Sequence, residues 1–200
     1  MMPLLLLIIA YLAGSVNFSI LVFKFKKQGD PRDSNSGNPG MTNVYRQSGF
    51  LMAAVVLLLD MGRSLAVAML AAVMLPYSWV PWIGFGLIVG NRYPCFHGFR
   101  GGKGVANYLG FTLYTAPYAV IWSALAWLLC FAFFRIPFIG SFVMVLILAG
   151  ASISHCGYQF WSSAGIVLTV MFIIYGHRQN IGELVKSLKT GRSEGKRVRR

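Results

Sequence analysis

The stretch "GVANYLGFTLYTAP" (residues 104–117) decides how many helices the chain forms. Its first twelve residues fit a helix, but Pro117 follows, and a proline inside a helix removes a backbone hydrogen bond and clashes with the preceding turn. Two structures fit this pattern: a short helix of its own, or the first part of one long helix kinked at Pro117. The charges on either side of the stretch distinguish them.

The composition is that of a membrane protein. Of 200 residues, 56% are hydrophobic and only 12% are charged, which is about half the usual share for a soluble domain. Several charge-poor stretches approach the roughly 20 residues that a helix needs to cross a hydrocarbon core of about 30 Å. We therefore predict an all-α, polytopic membrane helix bundle.

The positions of Lys and Arg predict the number of spans, because these residues concentrate in cytoplasmic connections. One long helix through Pro117 would put Arg135 and the basic C-terminus outside, whereas a break puts both inside with the basic connection 24–49. We therefore predict seven transmembrane elements, some of them short, with a periplasmic N-terminus and a cytoplasmic C-terminus. The predicted elements are 3–23, 50–75, 77–91, 104–115, 118–134, 138–155 and 161–176.

The chain is predicted to form one membrane domain, residues 1–185, followed by a basic cytoplasmic tail, 186–200, that contacts anionic lipid head groups. The first apolar run is predicted to be a retained span, because Lys24, Lys26 and Lys27 follow it rather than precede it. The net charge of +13 is thus assigned to membrane orientation and not to nucleic acid. Three scattered cysteines suggest neither a disulfide framework nor a metal site.

The seven-element topology puts four polar segments on the cytoplasmic side, 34–46, 91–107, 135–141 and 177–181, and the first two carry the strongest signals. The first is "SNSGNPGMTNVYR" (34–46), in which Gly and Pro prevent a helix and the free amides could form an anion nest. The second is "GFRGGKGVAN" (98–107), in which glycines bring backbone amides close to a phosphate just before a helix begins. Its spacing is not that of a nucleotide-binding P-loop. Arg46, Lys103 and Arg135 are predicted to converge on phosphate oxygens.

Few side chains are available for acid–base chemistry. The sequence contains five carboxylates, two of them in the basic C-terminal stretch 178–200, and no His-x4-Asp pair. Any catalysis is therefore predicted to rest on positioning and charge neutralisation. Asp60 and Arg63, spaced i,i+3 within an apolar span, fit either a structural ion pair or a functional one.

Four motifs along the chain, "YLAGS" (11–15), "SGNPGMTNVYR" (36–46), "FRGGKGVA" (99–106) and "HRQNI" (177–181), resemble the PlsY family of bacterial integral-membrane acyl-phosphate:glycerol-3-phosphate acyltransferases. The resemblance implies a seven-helix bundle in the bacterial inner membrane with its active site facing the cytoplasm. It also implies transfer of a fatty acyl group from acyl phosphate to the 1-hydroxyl of glycerol-3-phosphate, the first step of phospholipid synthesis. The products would be lysophosphatidic acid and phosphate. The expected partners are these two substrates and membrane lipids. We expect a monomer that uses no metal or other cofactor.

The resemblance implies the residues of the site, and Arg135 is added from the charge pattern. The catalytic residues are predicted to be Ser36, Arg46, Lys103, Ser141, His177 and Asn180. The substrate-binding residues are predicted to be Asn38, Gly40, Thr42, Asn43, Asp60, Gly101, Gly102, Gly104 and Arg135.

Several positions depart from the usual family pattern, among them Asn35, Met41, Arg63, Asn91, Phe138, Gly176 and Glu183. These departures favour one alternative function, that of a catalytically altered paralogue acting as a lipid-synthesis scaffold, which the retained Ser36, Arg46 and Lys103 oppose. A transporter of a phosphorylated metabolite is the second alternative. Polar loops would suit it, but the connections predicted to face outward are short and uncharged.

Overall fold

The computed structural model describes residues 1–197, with the backbone alone for 190–197. The predicted all-α class is confirmed, since no strand occurs in this range. The α-helices are α1 (Met2–Ser15), α2 (Phe18–Phe25), α3 (Met41–Met74), α4 (Val80–Arg92), α5 (Val105–Thr115), α6 (Pro117–Phe134), α7 (Pro137–His155), α8 (Phe160–Gly176) and α9 (Arg178–Arg197). The predicted tail 186–200 begins within α9, and the structure of its last three residues lies outside the described range.

The predicted break before Pro117 is confirmed. Helix α5 ends at Thr115, and Ala116 has non-helical backbone angles (φ −151°, ψ 65°). Pro117 then occupies the first position of α6, where its missing N–H costs no intrahelical hydrogen bond. The stretch 104–117 therefore forms a short helix of its own.

The first predicted span, 3–23, is interrupted. Helices α1 and α2 meet at an angle of 40°. The interruption is capped by Asn17, whose Oδ1 accepts a hydrogen bond from the backbone N–H of Ile20 at 3.1 Å. Such a cap satisfies one of the free amides at a helix start. One polar residue in a long apolar run is a weak signal, and the prediction of a single continuous span was wrong.

Helix α3 contains a second interruption, at Gly49, whose φ of +79° lies in the left-handed region. Residues 50–74 match the predicted span 50–75. The residues before Gly49 are also helical, so the prediction that the polar segment 34–46 is non-helical holds only as far as Gly40. The Gly and Pro residues of that segment stop a helix upstream of Met41 but do not prevent one from starting there.

Within residues 1–197, three helices are long and apolar enough to cross a membrane: α3, α6 and α7. The number rises to five if the bent pairs α1–α2 and α8–α9 each count as one span. Helices α4 and α5, with 13 and 11 residues, are too short to cross about 30 Å alone at roughly 1.5 Å per residue. The seven-element topology and the orientation of the termini stay predictions.

Small residues allow the helices to pack closely. A Cβ on Gly14 of α1 would lie 2.1 Å from the Leu87 carbonyl oxygen of α4. A Cβ on Gly110 of α5 would lie 2.5 Å from the backbone of Met61 in α3. Such close backbone contact is typical of helix pairs in membranes. The largest buried apolar cluster lies among α4 to α8.

A buried ion pair joins three parts of the bundle. Arg63 Nη2 lies 3.0 Å from Asp60 Oδ1, and the two side chains are only 9% and 7% exposed. Arg63 also donates to the carbonyl of Val16 at the α1–α2 break and to Asn107 Oδ1 on α5. Ser64 Oγ donates to the same Asn107 oxygen at 3.0 Å. These contacts support the structural interpretation of the pair.

Replacing Asp60 by Ala should lower the free energy of unfolding by about 3–5 kcal/mol, because it leaves the Arg63 guanidinium charged and buried without its carboxylate. The double variant Asp60→Leu/Arg63→Met should lose less, since it removes both charges. Thermal unfolding in one detergent measures the difference. Asp33→Ala, which removes an exposed carboxylate, is the matched control. If Asp33→Ala and Asp60→Ala unfold at the same temperature, the pair does not hold the helices together.

Candidate active site

A cavity of about 360 Å³ lies where both polar segments meet α3, α5, α6, α7 and the α8–α9 junction. Most of the residues predicted for the site line it. They are Ser36, Asn38, Gly40, Thr42, Asn43, Arg46, Gly102, Lys103, Gly104, Ser141, His177 and Asn180. Residues far apart in sequence are thus brought to one place.

Three predicted substrate-binding residues do not line the cavity. Gly101 packs against the end of α4, where an added Cβ would lie 2.0 Å from the Asn91 carbonyl oxygen. Asp60 is held by Arg63 inside the bundle. Arg135 takes a left-handed conformation (φ +56°) at the end of α6, with its side chain exposed. The structure places these residues outside the cavity, because each is positioned by a contact or a turn that the sequence pattern did not reveal.

Four helices begin at this cavity. The lining residues from their first turns are Met41, Thr42 and Asn43 of α3, Val105, Ala106 and Asn107 of α5, Pro137 and Phe138 of α7, and Asn180 of α9. The first N–H groups of a helix have no partner within the helix and carry the positive end of its dipole. The cavity therefore favours anions. The sequence predicted such a helix start for α5.

Charged side chains add to this potential. Among the residues whose side chains the structure describes, no carboxylate lines the cavity. Arg46 forms no hydrogen bond or ion pair with the residues that the structure describes, and Lys103 Nζ donates to Asn180 Oδ1. Burial and, to a smaller extent, the neighbouring Arg92 lower the pKa of Lys103 to about 8, and Glu183 opposes the shift.

The glycine-rich loop bonds to the end of α4. The backbone N–H of Gly101 donates to the Arg92 carbonyl at 3.1 Å, and that of Gly102 donates to the Asn91 carbonyl at 3.0 Å. The expectation that these two amides face a phosphate is therefore wrong. Gly104 has φ +85° and leads directly into α5. The free amides on this side of the cavity are those at the start of α5.

Two amide oxygens in the cavity wall are buried without a partner, Asn38 Oδ1 and Asn43 Oδ1. The orientation of Asn43 is set because its Nδ2 donates to the carbonyls of Pro31 at 2.8 Å and Ser34 at 3.2 Å. A buried acceptor without a donor is costly. Both oxygens suit a ligand that carries hydroxyl groups.

His177 is held on two sides. Its Nδ1 lies 2.8 Å from the Ile173 carbonyl oxygen, which can only accept a hydrogen bond. The neutral ring therefore carries its proton on Nδ1 and leaves Nε2 as an acceptor. Its ring also makes an edge contact with Phe142 at 5.2 Å, and Phe142 makes one with Phe138 at 5.7 Å. Phe138, one of the departures from the family pattern, thus extends an aromatic row to the site.

The far end of the cavity is apolar, and the sequence analysis missed its residues. They are Leu57, Leu109, Ala124, Trp127, Leu128 and Met144. Leu128 is 56% exposed, so this end reaches the outer surface of the bundle at α6. Apolar residues in apolar helices carry no signal that separates a cavity wall from the rest of the core or surface.

Other departures from the family pattern fit their surroundings. Asn35, where the family usually has Gly, has φ +54°, and Asn tolerates this left-handed region better than most residues. Met41 and Asn91 both line the cavity. Gly176 lies next to Lys103: a Cβ added to Gly176 would lie 3.9 Å from Lys103.

Comparisons with known proteins agree with these features. The family model described as glycerol-3-phosphate acyltransferase matches residues 4–187. A protein of that name from Pseudomonas paraeruginosa is 37% identical over 185 residues, covering 90% of this chain and 94% of the relative. One from Azotobacter vinelandii is 45% identical over 132 residues, covering 66% and 70%. One from Neisseria meningitidis is 32% identical over 194 residues, covering 94% and 96%.

The fold is also similar to solved structures. The crystal structure of PlsY (YgiH), an integral membrane glycerol 3-phosphate acyltransferase, in its glycerol 3-phosphate form, matches with a TM-score of 0.85 and 32% identity over 94% of each chain. Its lysophosphatidic acid form matches with a TM-score of 0.83 and 31% identity over 94% of this chain and 93% of that one. The chain belongs to the PlsY family of integral-membrane glycerol-3-phosphate acyltransferases.

Proposed function

We propose that this protein transfers a fatty acyl group from acyl phosphate to the 1-hydroxyl of glycerol-3-phosphate, releasing lysophosphatidic acid and phosphate. The observation that carries the proposal is the cavity itself. Its polar end combines four helix starts with Arg46 and Lys103 and has no lining carboxylate, and its other end is apolar. Family membership and the glycerol 3-phosphate form of the similar structure support the acceptor.

Each of the two substrates carries a phosphate, and the cavity has two places where a phosphate can bind. Lys103 and the start of α5 form the first place, and Arg46 and the start of α3 form the second. We assign glycerol-3-phosphate to the first and the phosphate of the acyl donor to the second. Charge-assisted hydrogen bonds from a cation and from helix amides stabilise each anion.

The glycerol hydroxyls need acceptors, and the cavity supplies three. They are the partnerless Oδ1 atoms of Asn38 and Asn43 and the Nε2 of His177. Acceptors in a fixed wall orient the glycerol so that its 1-hydroxyl faces the acyl carbonyl. The acyl chain extends along the apolar end toward the lipid at α6, where burial of its methylene groups stabilises binding.

The reaction needs one nucleophilic attack and one proton transfer. The 1-oxygen of glycerol-3-phosphate forms a bond with the acyl carbonyl carbon, and the bond from that carbon to the phosphate oxygen breaks. The hydroxyl proton passes to the departing phosphate, because no carboxylate lines the cavity to act as a base. Orientation of the reactants and positive charge around the developing oxyanion lower the barrier. A monomer that needs no metal or other cofactor remains our expectation.

We place the protein in the bacterial inner membrane with the cavity facing the cytoplasm. The cavity end of the bundle carries the basic connections, and basic connections are typical of the cytoplasmic side. The opposite end carries a cluster of Trp79, Trp82 and Trp161, with Trp82 and Trp161 rings 4.7 Å apart. Tryptophans of this kind are typical of a membrane interface.

The direct test is an assay of the purified protein with palmitoyl phosphate and glycerol-3-phosphate. The expected result is equimolar lysophosphatidic acid and phosphate. If the variant Met41→Ala/Phe138→Ser transfers the acyl group and the wild type does not, the enzyme proposal is wrong and the scaffold alternative takes its place.

Arg46→Ala and Lys103→Ala should each lower kcat/KM at least about 30-fold, which corresponds to about 2 kcal/mol of transition-state stabilisation. Arg46→Lys should restore only part of the loss, because an ammonium cannot reproduce the fork of a guanidinium. Arg135→Ala removes an exposed cation outside the cavity and should change kcat/KM less than about twofold. Equal damage from Arg135→Ala would contradict the assignment of the phosphate-binding cations.

The pH dependence should report on Lys103. Its pKa is lowered from 10.5 to about 8, so the charged form exists below that pH and is lost above it. The kcat/KM for glycerol-3-phosphate should therefore fall as the pH rises through about 8, since kcat/KM reports the free enzyme. Lys103→Arg should move this fall to higher pH, because a guanidinium keeps its charge. An unchanged profile in Lys103→Arg would show that another group is titrating.

Cysteine labelling tests the topology. In a variant without Cys95, Cys130 and Cys156, a Cys at Ser78 or Gln159 should react with an impermeant reagent from the periplasmic side. A Cys at Asn35 should be protected in intact cells and react after the membrane is opened. Periplasmic labelling at Asn35 would invert the proposed orientation.

A further inference from the structure

We infer that Asp30 and Arg32 form a positioning pair that holds the glycine-rich segment (98–104) in place against the start of α3 and so sets the spacing of the two phosphate-binding places. The inference rests on the proposed function for the identity of the two substrates. Neither residue is among the site residues that the sequence motifs predicted, and neither lines the cavity.

The first link runs from Arg32 to the segment that precedes Lys103. Arg32 Nη1 donates to the carbonyl oxygens of His97 at 2.7 Å and Arg100 at 2.8 Å. Between these two carbonyls the chain turns through Gly98 and Phe99, both with positive φ (+63° and +56°). A non-glycine residue in this region is uncommon and needs support from its surroundings. Arg32 supplies hydrogen bonds on both sides of the turn.

The second link fixes the direction of the guanidinium. Arg32 Nε donates to Asp30 Oδ1 at 2.9 Å, and Nη2 donates to Asp30 Oδ2 at 2.6 Å. The backbone N–H of Arg32 donates to Asp30 Oδ1 as well, at 2.9 Å. This two-pronged contact is the geometry in which a guanidinium and a carboxylate bind most strongly, and it directs Nη1 toward the loop. It also lowers the pKa of the Asp30 carboxyl.

The third link joins the same three residues to α3. The carbonyl oxygen of Pro31 accepts hydrogen bonds from Asn43 Nδ2 at 2.8 Å and Gln47 Nε2 at 3.0 Å. Asn43 is a lining residue of the cavity. Residues 30–32 are therefore bonded on one side to the first turns of α3 and on the other side to the loop that ends at Lys103.

The role that follows is positioning rather than catalysis, because the nitrogens of the Arg32 guanidinium are engaged with protein oxygens. Two substrates react only when the attacking oxygen and the carbonyl carbon are held close together, and a displacement of about 1 Å can cost roughly 100-fold in rate. Loss of the pair should free the Lys103 loop while leaving Arg46 and the apolar end of the cavity unchanged. The effect should fall mainly on glycerol-3-phosphate.

Steady-state kinetics with both substrates test this role. Arg32→Ala should raise the KM for glycerol-3-phosphate at least about tenfold and the KM for palmitoyl phosphate less than about threefold. Arg32→Lys should restore part of the affinity. The matched control is Arg100→Ala, which removes an exposed cation from the same loop but keeps the backbone carbonyl that Arg32 contacts. Asp30→Asn should have an intermediate effect, and Asp33→Asn should have none.

Hydrogen exchange of the backbone amides provides a second readout that does not depend on activity. Arg32→Ala should speed exchange across residues 97–103 at least about tenfold and leave α7 and α8 unchanged, whereas Arg100→Ala should change neither. A wild type without acyl transfer would overturn the proposed function, and the exchange data would still decide on the pair. The positioning role of the pair is refuted if Arg32→Ala and Arg100→Ala have the same exchange rates and the same KM values. It is also refuted if Arg32→Ala speeds exchange throughout the bundle. If Arg32→Ala does not fold, Asp30→Asn and Arg32→Lys decide by the same two criteria.

Discussion

The structure depends on a constraint that applies to every helix start: the first backbone N–H groups have no partner within the helix, and surrounding hydrocarbon cannot supply one. In this chain α3, α5, α7 and α9 all begin at one cavity. The starts of these helices are thus gathered at a single polar place instead of being distributed along the membrane-facing surface, and the amides at the start of α5 are free to bind a ligand. Arg46 and Lys103 reinforce the same potential, and the absence of lining carboxylates preserves it. An anion satisfies the amides and the cations together.

Interruptions of the helices make this arrangement possible. Asn17 caps the start of α2 at the break between α1 and α2, Gly49 bends α3, and Pro117 separates α5 from α6. At the α1–α2 break, side chains bond to backbone carbonyls on both sides. The Val16 carbonyl accepts from Arg63, and Asn17 Nδ2 donates to the Pro39 carbonyl at 3.4 Å. This break therefore connects the apolar bundle to the polar segment 34–46 instead of weakening the bundle.

Several residues that differ from the family pattern still meet the physical requirement of their position. Asn35 accepts the left-handed backbone for which glycine is usual. Arg63 pairs with Asp60, and Phe138 packs through Phe142 onto His177. Met41 differs, because it enters the cavity at the start of α3 and changes the volume available to a substrate. These contacts favour a working but altered site over a lost one.

The sequence alone determined the features that depend on local chemistry. Apolar composition predicted the membrane class, proline predicted the break at Pro117, and the motifs predicted most of the polar lining residues. Only the tertiary structure decided which groups face the cavity. It showed that the amides of Gly101 and Gly102 bond back to the end of α4, and that Arg135 is exposed and does not line the cavity. It also supplied the apolar wall and the link from Arg32 to the glycine-rich loop. These features rest on contacts between distant residues, and a hydrogen bond across 65 positions leaves no mark on the local pattern.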